Sequence, residues 1–515
     1  MKQVSYFSEI LICPLEFLWD RKNPIELQNQ VEQLLTNSQW KRIFDHYTKD
    51  GSINDITAYG EFGYFHPFVR RFLYGEDSKT TNKRSEKDSP IDIYKREDIS
   101  KVKITLKGDA VPINMEVKWA HLYVFDVEVA VLALEICGRD IELSKASDII
   151  KLFRRIYPPF FKERDGIRKA GNCPIKVQFV SDTNIDSNFE DTDIYLNHVK
   201  LYKNAPIASH WQELLKPLII YKTPESLTNV QYRLIGDDRI PFMAYIAVDS
   251  PHQISRPDLV RLAFADGKGE GYPYSPVFLA DFEEKYCYDR FWDTVTPGYE
   301  WMNTRIMCNG YGFIFLGDSK DESFFMNEKD GALSHFRNHY FNMGLIVHFQ
   351  RSALLLFSDR LADAVKDFNN KDTTVFHKSV REVFETLLKF THRYWGSEYS
   401  NQWQGKDIFN MWKKHLETDR LFNDVMREVR DINQHLDVQE QRKQSKTTLE
   451  LTLVAAVGLV FTITSGLLGM NIYDVEHKLQ FNSVLPLFMI ALFFSILVII
   501  PPAIPLLRNL FKRKK

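Results

Sequence analysis

Residues 449–471 read LELTLVAAVGLVFTITSGLLGMN, and this stretch decides how the rest of the chain is organised. From Leu451 to Met470 there are twenty residues without a charge. At about 1.5 Å per residue such a helix crosses the roughly 30 Å of bilayer hydrocarbon. The pattern predicts a membrane span over about 449–470. A second uncharged run, Val484 to Leu507, predicts a return span, with 471–483 as the loop between them and 508–515 as a basic tail.

Flanking charges set the expected orientation. Arg442, Lys443 and Lys446 precede the first span, and Arg508, Lys512, Arg513, Lys514 and Lys515 follow the second. The connecting loop holds one lysine against Asp474 and Glu476. Lysine and arginine concentrate on the cytoplasmic side, so both termini are expected there, with the protein multi-pass in a cell (inner or plasma) membrane.

Most of the 515 residues are of another kind. With 26% charged and 44% hydrophobic residues, the chain is long enough for two or three domains of ordinary globular composition. A formal net charge of −2 offers no basic field for nucleic acid. Five cysteines, Cys13, Cys137, Cys173, Cys287 and Cys308, lie far apart without Cys-x-x-Cys spacing, as buried thiols in a reducing compartment would. The apolar run at the N-terminus is broken by Ser8 and Glu9, unlike a secretory signal.

Residues 1–330 are expected to form an α/β or α+β cytosolic domain. Its first 74 residues suggest short aromatic-rich helices and turns, followed by a polar loop from Gly75 to Lys101. Strand patterns occupy Lys101–Leu106, two or three segments within Ile113–Ile136, then Lys176–Val180, Phe242–Val248, Arg305–Cys308 and Tyr311–Leu316. Ile141–Tyr157, His210–Ile220 and Arg256–Ala263 read as helices. Residues 331–400 suggest a helical hairpin, Leu333–Phe368 and Thr373–Arg393, joined at Asn369-Asn370-Lys371-Asp372. Within 401–470 no Gly or Pro follows Lys406 until Gly458, so one stalk helix is expected to run into the span, roughly 100 Å in all. Phe422, Val425, Val429, Ile432 and Leu436 form a heptad seam expected to pack against copies of itself.

Two C-terminal spans, the first ending in Gly469-Met470-Asn471, resemble the CorA family of magnesium transporters, whose defining motif is Gly-Met-Asn. The resemblance implies a funnel-shaped homo-oligomer, a pentamer, that passes hydrated divalent cations inward and closes when cytosolic divalent ions bind. It makes Gly469, Met470 and Asn471 the selectivity filter. Counting back along the family's pore-facing pattern gives Gly466, Thr462, Leu459, Ala455, Leu451 and Thr448 as pore-lining, and Asp407 as the nearest counterpart of a regulatory metal ligand. Asp474 and Glu476 would capture ions outside. Leu468 stands where an aromatic is common in the family, and the loop lacks its Met-Pro-Glu-Leu sequence. No covalently bound cofactor is implied; Mg2+ or another divalent cation is both substrate and regulator.

The motif suits the ion. Magnesium sheds its waters reluctantly, so a pore gains by gripping the hydrated ion through outer waters, and a ring of Asn471 amide oxygens would do so. The first span's C-terminal end would present about half a negative charge per copy to the entering cation. The zinc-carrying branch of the same superfamily shares the tripeptide, and a non-conducting membrane-anchored sensor could keep the scaffold. A tethered enzyme would need a reaction in residues 1–330, where none is nominated.

Other patterns are weak. Asp182, Asn184, Asp186 and Asp193 have calcium-loop spacing, yet Ser187 stands where that loop requires Gly. His335 and His339 have the spacing of a zinc-peptidase pair, yet Phe336 replaces its general-base Glu. Gly267, Gly269 and Gly271 precede no helical pattern and suggest no phosphate cradle.

Overall fold

A computed structural model describes residues 2–19, 26–43, 60, 63–74, 91–164, 166–181, 184–223, 230–267, 274–369, 373–396, 398–469 and five positions between 485 and 493. The chain divides into two compact units, Met1–Met426 and Arg427–Lys515.

The first unit is built on a mixed sheet of fourteen strands among the described residues, and its centre is β1, Gln3–Leu18. The helices and turns expected near the N-terminus are therefore not found at β1. This strand is buried on both faces, so it reads as a nearly continuous apolar run instead of an alternating one. β1 pairs antiparallel with both neighbours through much of its length. Pro14, which has no N–H to give, falls between Leu11, where pairing with Phe242–Val248 ends, and Leu15, where pairing with Gln231–Leu234 begins.

With β2 Ile113–Phe125, β3 Val129–Glu142, β4 Phe242–Val248 and β5 Gly312–Asp318, the main path runs Ile185–Asp186, Lys176–Val180, Lys101–Thr105, β2, β3, β1, β4, β5, Asn303–Cys308 and Cys287–Trp292. β4 and β5 are parallel; β1 is antiparallel to β3 and β4. One face packs Phe7, Leu11, Leu15 and Phe17 into a core with helix α1, Leu143–Leu152. That helix is shorter than its apolar pattern, because residues 141–142 still belong to β3. His210–Ile220 divides likewise into a helix, Ser209–Leu215, and a short strand, Ile219–Ile220.

The other face carries the long helices. α2, Phe341–Asn369, and α3, Thr373–Arg393, form the expected hairpin. The Phe125 ring stacks on Phe349 of α2 at 3.7 Å. The entry to α2 is not a simple helix: Phe336–Tyr340 forms a π-helical turn. Arg337, on this turn, donates to the fully buried Glu135 at 2.8 Å and to the Tyr6 hydroxyl at 2.7 Å.

The single helix expected from Lys406 is two helices. α4 spans Trp403–Leu416 and α5 spans Thr418–Gly469, separated by Glu417 in the left-handed region at φ 52°. No local signal marks this break because tertiary contacts make it. The Trp412 indole donates to the Gly310 carbonyl at 2.9 Å, Arg351 donates to the terminal carbonyl of Leu416, and Lys413 pairs with Asp419 at 2.8 Å across the corner.

Candidate functional site: the apolar half of the terminal helix

α5 changes character along its length. Its last charged group before Gly469 is Glu450, paired with Lys446 at 3.8 Å. The nineteen residues from Leu451 to Gly469 stay helical over roughly 28 Å. This helix is long and apolar enough to cross a membrane by length and composition, with a mean hydropathy of 1.6 in its most apolar window and 6% of that window buried.

Because the helix is unbroken, Thr448, Leu451, Ala455, Leu459, Thr462, Gly466 and Gly469, at three and four spacing, share a face. Leu451 is 65% exposed and Leu459 is 51% exposed. A Cβ added at Gly466 would meet nothing within 4 Å. The opposite face carries Val454, Val457 and Phe461, all exposed. One side is thus bulky and suited to lipid, and the other intersperses Leu451 and Leu459 with small or hydroxylated residues that suit close approach by other helices.

The hydroxyl on this stripe has a defined polarity. Thr462 Oγ1 donates to the Gly458 carbonyl at 2.9 Å. With its proton committed inside the helix, the oxygen keeps its lone pairs for an outside donor. Water bound to a cation is such a donor. At the stripe's lower end the Thr448 carbonyl accepts from Thr452 at 2.8 Å.

Gly469 is the last described residue of the helix, while Met470, Asn471, Asp474, Glu476 and nearly all of 484–507 lie outside the described residues, as do Asp182, Gly269 and Gly271. Asp407 is half-buried on α4, away from the apolar stretch in sequence. Burial raises the neighbouring Tyr288 hydroxyl above its usual pKa, and Asp407 adds to that rise. Among the described residues, no three His, Cys, Asp or Glu side chains gather to hold a metal ion.

The weaker patterns resolve as ordinary structure. Asp186 lies in a strand and pairs with Lys176 at 3.0 Å, while Asp193 sits in the first turn of Thr192–Tyr202. His339 stacks on Tyr64 at 3.8 Å, and burial pushes its pKa down to about 3, which keeps the ring neutral. Gly267 adopts φ 77° after the helix Arg256–Phe264. All five cysteines are free, and burial pushes Cys13 up to about 12.

The sequence reading missed the charges inside the sheet. Glu9 is fully buried with neither carboxylate oxygen hydrogen-bonded, and burial pushes its pKa up to about 8 against the opposing pull of Arg154. Arg154, held over the Phe242 ring at 5.0 Å, is lowered to about 10, first by burial. An acid inside an otherwise apolar strand run was the available signal.

Comparison with known protein families, curated proteins and solved structures finds no match. The resemblance to the CorA family therefore rests on Gly469-Met470-Asn471 and the two apolar runs.

Proposed function

We propose that the protein is an oligomeric, multi-pass membrane channel or transporter that admits hydrated divalent cations, Mg2+ first, down their electrochemical gradient. The observation that carries the reading is the helical, uncharged stretch Leu451–Gly469 leading directly into Met470 and Asn471. Several copies would turn the Thr448–Gly469 stripe toward a common axis and the Val454, Val457 and Phe461 face toward lipid. Asn471 would ring the outer end with amide oxygens that bind the ion's coordinated waters. Leu451 and Leu459 would form constrictions that close by dewetting, and Thr462 would supply a second ring of acceptors. An inside-negative potential of 100 mV would contribute roughly 4.6 kcal/mol to the entry of a divalent ion, twice the single-charge value. No nucleotide hydrolysis is then required.

In this reading both termini are cytoplasmic, and divalent ions on that side would regulate closure. The test is dye-reported Mg2+ entry into liposomes holding the purified full-length protein. Replacing Asn471 by Ala is expected to reduce entry by roughly tenfold or more, the loss of about 1.4 kcal/mol of ion stabilisation. Unchanged entry would move the reading to a membrane-anchored sensor that does not conduct, and Zn2+ entry without Mg2+ entry would move it to a zinc carrier.

A further inference from the structure

Residues 160–171 fold into a hairpin of their own, Phe160–Arg164 against Ile167–Gly171, outside the fourteen-stranded sheet. Alternation along the strands divides its side chains between two faces. Phe161, Glu163, Arg168 and Ala170 share one, and that face is held. The Phe161 ring lies 6.2 Å from that of Tyr195, and Arg168 pairs with Glu163 at 3.2 Å and with Asp193 at 3.7 Å. Phe160, Lys162, Ile167 and Lys169 share the other face, and all four are exposed, Ile167 to 60%.

This outer face carries charge of one sign only. Lys162 and Lys169 stand directly opposite each other, so their Cβ atoms are about 5 Å apart and their ammonium groups repel. Lys41 and Lys95 are opposed in the same way, and there Glu97 pairs with Lys41 at 2.7 Å. No acid answers the hairpin pair: Glu163 is turned to the other face, and among the described residues neither lysine has an ion-pair partner. Lys162 extends instead over the Phe160 ring, 5.5 Å from its centre. That ring lies across Gly171, where an added Cβ would collide with it, so the aromatic is fixed in place beside the cations.

We infer that this face docks on an anionic phospholipid surface. Headgroup phosphates and carboxylates supply the missing counter-charge between Lys162 and Lys169, while Phe160 and Ile167 enter the boundary with the acyl chains. The lysine stems reach along that boundary and keep their charges in the headgroup layer. The two apolar side chains favour a bilayer over nucleic acid, whose phosphates would meet the lysines but leave Phe160 and Ile167 in water. This rests on the chain being held at a membrane, as in the function proposed above, but not on its conducting ions.

The experiment uses full-length protein in nanodiscs of phosphatidylcholine, either alone or with about one-third phosphatidylserine. A fluorophore is placed by Ile167→Cys, with the half-buried Cys173 and Cys287 replaced by Ser. Quenching by lipids spin-labelled near the top of the acyl chain is expected to be roughly fivefold stronger with phosphatidylserine, the weight of about one lysine near an anionic surface. The double variant Lys162→Glu, Lys169→Glu should fall to the level seen in phosphatidylcholine, and Lys162→Arg, Lys169→Arg should keep the parent's quenching. Equal quenching in the two lipids, or quenching that survives in the glutamate variant, would overturn the docking. A fluorophore already shielded from aqueous iodide in detergent without anionic lipid would overturn it too, and would make the face a contact between copies. Protein that fails to enter nanodiscs would sink the membrane reading as well, whereas docking without Mg2+ entry would sink the channel reading alone.

Discussion

The indole of Trp395 and the ring of Phe422 lie parallel at 4.2 Å, tilted by 7°. Trp395 follows the helical hairpin, and Phe422 opens the terminal helix, so the stack fastens the start of α5 to its own chain. Phe422→Ala removes it, along with part of a half-buried side chain. The expected cost is about 2 kcal/mol of stability, seen as a lower midpoint in thermal unfolding of the full-length protein in detergent. The oligomer that the proposed channel requires, sized by light scattering, should remain intact. Dissociation into monomers would instead show that the heptad seam joins copies.

Glu9 makes stability depend on pH. Its folded pKa, about 8, lies above the 4.5 of an ordinary glutamate, so between these values the folded chain holds a proton that the unfolded chain releases. Stability contributed by this group is complete below about pH 4.5 and falls until pH passes 8. Glu9→Gln keeps the shape and removes the titration. The variant should gain on the parent by a few kcal/mol between pH 5 and pH 8.5, because each tenfold change in proton affinity on folding is worth about 1.4 kcal/mol. Parallel stability curves for the two proteins across that range would contradict the placement of Glu9.

Arg337 and Glu135 form a pair in which the acid is fully buried and the guanidinium is nearly so, with Ser8 donating to the same carboxylate oxygen at 2.7 Å. Arg337→Met should cost about 3–5 kcal/mol, since it strands a charge inside the sheet. The double variant with Glu135→Leu should recover most of that loss. Urea titrations of the two single variants and the double close the cycle, and additive losses would mean that the pair is not coupled.

Much of the helical part could be read beforehand. Thr373–Arg393 emerges with the bounds its periodicity suggests, because one face of that helix is buried and the other is wet. β2 showed as a strand through the alternation of its first half, and β3, though buried on both faces from Val129 to Cys137, through its density of Val, Leu and Ala. β1 did not, since a strand buried on both sides loses its alternation and Ser8 and Glu9 interrupt its apolar run. The corner at Glu417 was invisible because nothing local forces it; Gly310, Arg351 and Asp419 do. For the candidate site, sequence supplied the apolar run and its stripe. The commitment of the Thr462 proton to Gly458, and the engagement of the heptad seam at Phe422, needed coordinates.

Thr462 offers the sharpest separation of pore chemistry from helix packing. Its methyl group and its hydroxyl both sit on the Thr448–Gly469 stripe, but only the hydroxyl oxygen can accept from an ion's waters. Thr462→Val keeps the volume and the branched shape, so helix approach should be preserved and the oligomer unchanged. Mg2+ entry should fall roughly tenfold, the value of one lost acceptor ring at about 1.4 kcal/mol. Thr462→Ser retains the oxygen and its bond to the Gly458 carbonyl, and should conduct within about twofold of the parent, well under 1 kcal/mol. If serine and valine variants conduct alike, the residue serves packing alone and the stripe's polarity plays no part in handling the ion.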